Sequence, residues 1–104
     1  MRYATQALQE FARDLLMGAG LAHDVASAVS EILLEGDLLG HDTHGLALLA
    51  PYLRELEAGT MAKSGRHRVI EERKASALWD GDRLPGPWLT RLAIADAIER
   101  ARTC

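Results

Sequence analysis

Two imidazoles, a carboxylate and a hydroxyl fall within four consecutive residues, His41, Asp42, Thr43 and His44, bracketed by Gly40 and Gly45. Histidine donates or accepts a proton near neutral pH, so it suits general acid–base work. A carboxylate beside it can fix its tautomer and stabilise its cation. The Thr43 hydroxyl can cap a following helix or bond a substrate oxygen. The start of such a helix adds free backbone N–H groups and the positive end of a dipole, which suit an anion. Spacing alone favours a plainer reading, with Asp42 or Thr43 as an ordinary cap and both histidines in solvent. A metal site would draw on His41, Asp42 and His44, at most three ligands with no second cluster to complete them.

Elsewhere the chemistry is sparse. His23 and His67 are isolated and are expected at the surface. No Gly-x-Gly-x-x-Gly run follows a strand, and Gly81 and Gly86 are expected in turns. Asp80 and Asp82 are better explained by a tight turn than by a catalytic pair, and Trp79 and Trp88 by anchoring a core. Cys104 is the one cysteine, so the chain can close no internal disulfide, which fits a reducing compartment.

The elements that must hold the polar junction can be traced from periodicity. Thr5 is an expected N-cap, followed by Leu8, Phe11, Ala12, Leu15 and Leu16 as one apolar stripe, with Gly18 and Gly20 ending the helix. Asp24 is expected to cap a second helix whose buried stripe is Val25, Ala28, Val29, Ile32 and Leu33. Leu34, Leu38 and Leu39 extend that stripe, and Glu31, Glu35 and Asp37 fall on its wetter side. The wide apolar face places this helix centrally, and Gly40 ends it. A third helix turns Leu46, Leu49, Leu53 and Leu56 inward and stops at Gly59, and Pro51 should kink it or delay its regular part.

After Gly59 the pattern changes. Val69-Ile70 and Ala75 to Trp79 read as two short strands joined through Glu72-Arg73-Lys74. A last helix, with Pro87 at its start, aligns Trp88, Leu89, Leu92, Ala95, Ile98 and Ala101 on one side. It runs to the terminus without a cap, so the sequence is expected to be cut off rather than finished. The fold class is α+β: a three-helix bundle at 1–59, then a hairpin and helix at 60–104 that begin a truncated mixed α/β domain.

Composition removes several classes. With 48% apolar and 26% charged residues the chain has a globular balance, which excludes a disordered tail. The net charge is -3, and the most basic stretch, Lys63 to Lys74, is interrupted by Glu71 and Glu72, so no nucleic-acid partner is expected. No run approaches the ~20 apolar residues of a membrane span. The opening residues 1–6 lack the apolar stretch of a signal peptide, and a cytoplasmic location without a membrane partner is the simplest expectation.

Gly40-His41-Asp42-Thr43-His44-Gly45, followed by Tyr52 and a closing Gly59, resembles the type-2 malate/L-lactate dehydrogenase family, which includes ureidoglycolate and sulfolactate dehydrogenases and a cyclic-imine reductase. Ala19-Gly20-Leu21 with the Val25-to-Gly40 helix, and Leu78-Trp79-Asp80-Gly81 with the Ala93-to-Ala101 helix, resemble the segments on either side. The resemblance implies an oxidoreductase of small 2-hydroxy or 2-oxo acids that uses NAD or NADP. It implies a homodimer at full length, and a larger α/β fold that is not a classical Rossmann domain. It places Thr43 and His44 on the substrate side, with His44 the candidate catalytic residue of this portion and His41 and Asp42 in support. The family's catalytic histidine and most of its cofactor site fall beyond this sequence, which is expected to be inactive alone. One departure stands out: where the family commonly carries an arginine that binds the substrate carboxylate, this chain has Leu48, which cannot form the bidentate pair. The alternatives are a non-catalytic helical interaction module, using the apolar second and third helices, and a small metal protein.

Overall fold

The structure is a computed structural model that describes residues 3–104; Met1 and Arg2, at the head of the stretch inspected for a signal peptide, lie outside the described residues. Helices α1 (Thr5–Gly18), α2 (His23–Leu38) and α3 (Leu49–Ala58) come first. A hairpin of β1 (Arg68–Glu72) and β2 (Ala77–Asp80) follows, and then helix α4 (Gly86–Thr103). Four helices and one two-stranded antiparallel sheet make the chain α+β, with no parallel sheet among the described residues. Among the described residues no helix is long and apolar enough to cross a membrane.

The core is formed by Leu16 of α1, Leu21 of the following turn, Ala26, Val29 and Leu33 of α2, and Leu56 of α3. Each buried leucine contributes about 1.5–3 kcal/mol, so these few positions fix the packing. Helix α2 is central: it packs against α1, against the turns that precede α3, and against α4. Its end explains how the chain reverses toward the polar junction. Gly40 takes φ +84°, a left-handed conformation open to glycine at little cost, and lets the His41 N–H reach back to the Gly36 carbonyl at 2.8 Å.

Several expectations are corrected. Thr5 is the first helical residue, not a cap: Ala4 precedes the helix and no side chain caps it. The α2 N-cap is Ala22, while Asp24 sits in the first turn and accepts the Val25 N–H at 2.9 Å. In α1 only Ala12 and Leu16 are buried, and Phe11 and Leu15 are exposed. Leu38 and Leu39 do not extend the buried stripe but are exposed, whereas Asp37 is half-buried. Pro51 falls in the first turn of α3, where its missing N–H costs nothing, so the helix starts late rather than kinking.

The hairpin turn falls later than expected: Glu72 belongs to β1, and Arg73 to Ser76 form the turn, so Ala75 and Ser76 are not strand residues; it is closed by the Arg73 N–H on the Ser76 carbonyl at 2.8 Å. A bulge at Ile70 separates the Val69–Trp79 pair from the Glu71–Leu78 pair. On α4 only the N-terminal part of the expected stripe meets the core, through Trp88, while Ala95 and Ile98 are exposed. His67 is not a free surface group; its ring stacks on Trp79 with centroids 3.8 Å apart.

Candidate functional site

The junction between α2 and α3 is two short 310 turns, Asp42–His44 and Leu46–Leu48, separated by Gly45. The first is closed by the His44 N–H on the His41 carbonyl at 2.9 Å, and the second by the Leu48 N–H on the Gly45 carbonyl at 3.0 Å. Neither turn nor α3 is capped by a side chain of the junction, which removes the ordinary capping role foreseen for Asp42 or Thr43. The capping work comes from α2 instead: Asp37 Oδ2 accepts the Leu46 N–H at 2.8 Å. The donors of Leu46 and Leu48 are therefore occupied within the chain.

Two glycines let the junction lie flat on α2. A Cβ on Gly36 would come within 2.6 Å of the His44 carbonyl oxygen. Gly45 is buried, and a Cβ there would strike the Asp37 carboxylate. Gly36 and Asp37 thus set where residues 43 to 46 sit. Sequence reasoning missed both. Gly36 carried a local signal, a glycine inside an otherwise regular helix, where it costs about 1 kcal/mol relative to alanine. Asp37 carried none, because its partner lies nine residues ahead.

On this platform Thr43 and His44 pair directly: Thr43 Oγ1 lies 2.9 Å from His44 Nδ1. Whichever atom carries the proton, the bond fixes the ring and leaves His44 Nε2 without a partner among the described residues. Thr43 and His44 are both exposed, as are His41 and Asp42, whose side chains make no bond within the described residues. The carboxylate expected to steady a histidine is therefore not in contact with one; the hydroxyl of Thr43 does that. His41, Asp42 and His44 do not converge, and no group of three metal-ligating side chains does so among the described residues. Leu48 is half-buried and packs on the core. Tyr52 is half-buried one turn further on, and burial, with the nearby Glu55 charge, raises its phenol above the ordinary value.

Concave surfaces occur elsewhere on the chain. One of about 530 Å³ opens at the N-terminal end of α2, and one of about 260 Å³ lies between β2 and α4. The residues present do not by themselves fit a dinucleotide. The one strand-to-helix turn has Leu84 and Pro85 buried in it, and a Cβ on Gly81 would meet Leu89 at 2.5 Å. That turn packs tightly at Gly81 and carries no glycine-rich phosphate-cradling run.

Residues 3–104 match the family described as malate/L-lactate dehydrogenase. Hydroxycarboxylate dehydrogenase B of Escherichia coli is 29% identical over 100 residues, which is 96% of this chain and 28% of that protein. An L-lactate dehydrogenase of Cupriavidus necator is 29% identical over 102 residues, 98% of this chain and 29% of its own length. The solved malate dehydrogenase of Pyrococcus horikoshii superimposes with a TM-score of 0.96 at 28% identity, over 99% of this chain and 30% of that one. The chain thus spans under a third of the length of the relatives it matches. Over that span sequence and backbone agree: this chain belongs to the malate/L-lactate dehydrogenase family.

Proposed function

We propose that these 104 residues form one wall of the substrate site of an oxidoreductase that interconverts a small 2-hydroxy acid and its 2-oxo acid. The observation that carries this is the Thr43–His44 pair, held on a backbone anchored by Asp37, with one imidazole nitrogen free. Thr43 and His44 would contact substrate oxygens, and His41 and Asp42 would shape the turn; His41 contributes through its carbonyl. The names of the relatives, dehydrogenases of hydroxycarboxylates and lactate, support the substrate class. NAD or NADP would supply or accept the hydride, held by polypeptide other than these residues. The complete protein would be a homodimer in the cytoplasm. A boundary near Gly59, between a helical domain (1–59) and the start of a mixed domain (60–104), belongs to the same proposal. Leu48 packs inward and offers no cation, so the substrate carboxylate would find its positive partner outside this segment.

Alone, the chain is expected to show no oxidation of NADH or NADPH with pyruvate or oxaloacetate, because hydride transfer needs donor and acceptor held together. Joined at Cys104 to the matching remainder of the Escherichia coli relative, it should reduce 2-oxo acids. His44→Ala should then lower kcat/KM by about 100-fold, the usual scale for losing a positioned proton-transfer or polarising group. Turnover by the 104 residues alone would overturn the first expectation. A folded, cofactor-binding hybrid indifferent to His44→Ala would overturn the assignment of this elbow.

A further inference from the structure

The cavity at the N-terminal end of α2 lies at the far end of that helix from the Thr43–His44 pair. The helix has 16 residues, so the two are separated by roughly 24 Å along its axis. Its volume of about 530 Å³ falls within the roughly 300–1,000 Å³ typical of small-molecule sites. The apolar lining comes from Val25, Leu84, Trp88 and Leu92, with the His67 ring beside them. Trp88 packs against the core, and His67 is held flat by its stack on Trp79, so two aromatic walls are fixed before any ligand arrives. The charged groups at its rim are unequal. Lys63 and Arg66 both line it, and neither has an ion-pair or hydrogen-bond partner among the described residues. The single carboxylate, Asp24, has one oxygen occupied by the Val25 N–H. His67 Nδ1 is also buried without a partner, a polar atom the chain itself leaves uncompensated.

We infer that this cavity binds a small organic anion with a flat apolar body, such as an aromatic carboxylate. The ring would lie against Trp88, Leu84 and Leu92, and the carboxylate would meet Arg66 and Lys63. A guanidinium recognises a carboxylate through two parallel hydrogen bonds and stacks on flat groups, which suits Arg66 for the main contact. The inference is independent of any role for residues 41–44.

The probe is naphthalene-2-carboxylate, with naphthalene-2-carboxamide as its neutral counterpart, titrated into the chain and followed by the fluorescence of Trp79 and Trp88. The carboxylate should saturate the signal, and the amide should bind at least about fivefold more weakly, as loss of a charge-assisted contact requires. Raising the salt concentration should weaken the carboxylate alone. Arg66→Gln and Lys63→Met, the latter retaining the aliphatic stem that lies over Gly20, should each reduce affinity by about tenfold with an unchanged thermal melt. Arg66→Glu should abolish binding. The inference is overturned by no saturable signal at millimolar probe, by equal binding of acid and amide, or by folded Arg66→Gln and Lys63→Met variants that bind as tightly as the parent. The last result would place the probe elsewhere on the surface.

Discussion

Gly36 lacks a side chain at the point where one would strike the His44 carbonyl, and this reverses the usual effect of a helical glycine. In an exposed helix Gly→Ala stabilises by about 1 kcal/mol. Here the added methyl must displace the junction backbone, so Gly36→Ala is expected to lower stability by about 1–3 kcal/mol, the range for overpacking. Urea unfolding would register this; a gain in stability would mean that the elbow yields freely. Asp37→Ala leaves the Leu46 N–H without its acceptor and should cost about 1–2 kcal/mol, while Asp37→Asn, which keeps a carbonyl oxygen, should cost less. If the two variants melted alike, that oxygen would not be what matters. At this scale the sequence discloses the candidate site residues but not their supports. His41 to His44 are legible because unlike chemistries crowd together between two glycines. The contact that holds them is made across nine residues and by the absence of a side chain, and neither leaves a periodic trace.

Among the elements, the hairpin is tied down by charges rather than by burial. Arg68 and Asp80 face each other across the strands at 2.7 Å, and Asp80 also accepts the Asp82 N–H at 2.8 Å. Those bonds, the Asp82 N–H first and then Arg68, hold the Asp80 carboxyl below the ordinary carboxylate range. A depressed value means that the folded state binds the proton less well than the unfolded chain. The stabilisation is therefore present above the unfolded value, near pH 4, and fades as pH falls through the folded one. The advantage of the parent over Asp80→Asn should accordingly shrink between about pH 5 and pH 2 in urea melts, and a constant difference would contradict the linkage. Arg100 ties α4 to the same hairpin. It bonds Asp96 on its own helix and Glu72 on β1, each at 2.7 Å, and the Arg73 carbonyl in the turn. Arg100→Lys keeps the charge but not the fork, so amides of β2 should exchange faster in that variant as well as in Arg100→Met. Protection retained in the lysine variant would show that charge alone suffices. Periodicity located the four α-helices and, to within a few residues, both strands, since apolar spacing is local. It misjudged Phe11, Leu38, Leu39 and the Ile98 side of α4, because an apolar residue on the right face is buried only if some other element reaches it.

For the molecule as a whole, that unmet apolar surface has a consequence. The radius of gyration is 15.0 Å, against about 13 Å for a compact domain of this length. The excess matches a hairpin that stands away from the helical core, with every residue of β1 exposed. Val69, Ile70 and Leu78 on the sheet and Ile94 and Ile98 on α4 are each at least half exposed. A two-stranded sheet is marginal by itself, and unpaired strand edges recruit other chains. A helical interaction module would instead offer α2 and α3 to a partner, yet α2 is the element with the most buried residues, and the exposed apolar side chains of the hairpin and α4 lie outside both. The isolated chain is therefore expected to self-associate through the hairpin and α4. Sedimentation velocity should show the weight-average mass rising with concentration, and Ile70→Lys with Ile94→Glu should suppress that rise while leaving the melt of the helical core unchanged. A monodisperse monomer at all concentrations would mean that these side chains tolerate water. Association that survives the double substitution would instead move the contact to Phe11, Leu38 and Leu39, which are also large, apolar and more than half exposed.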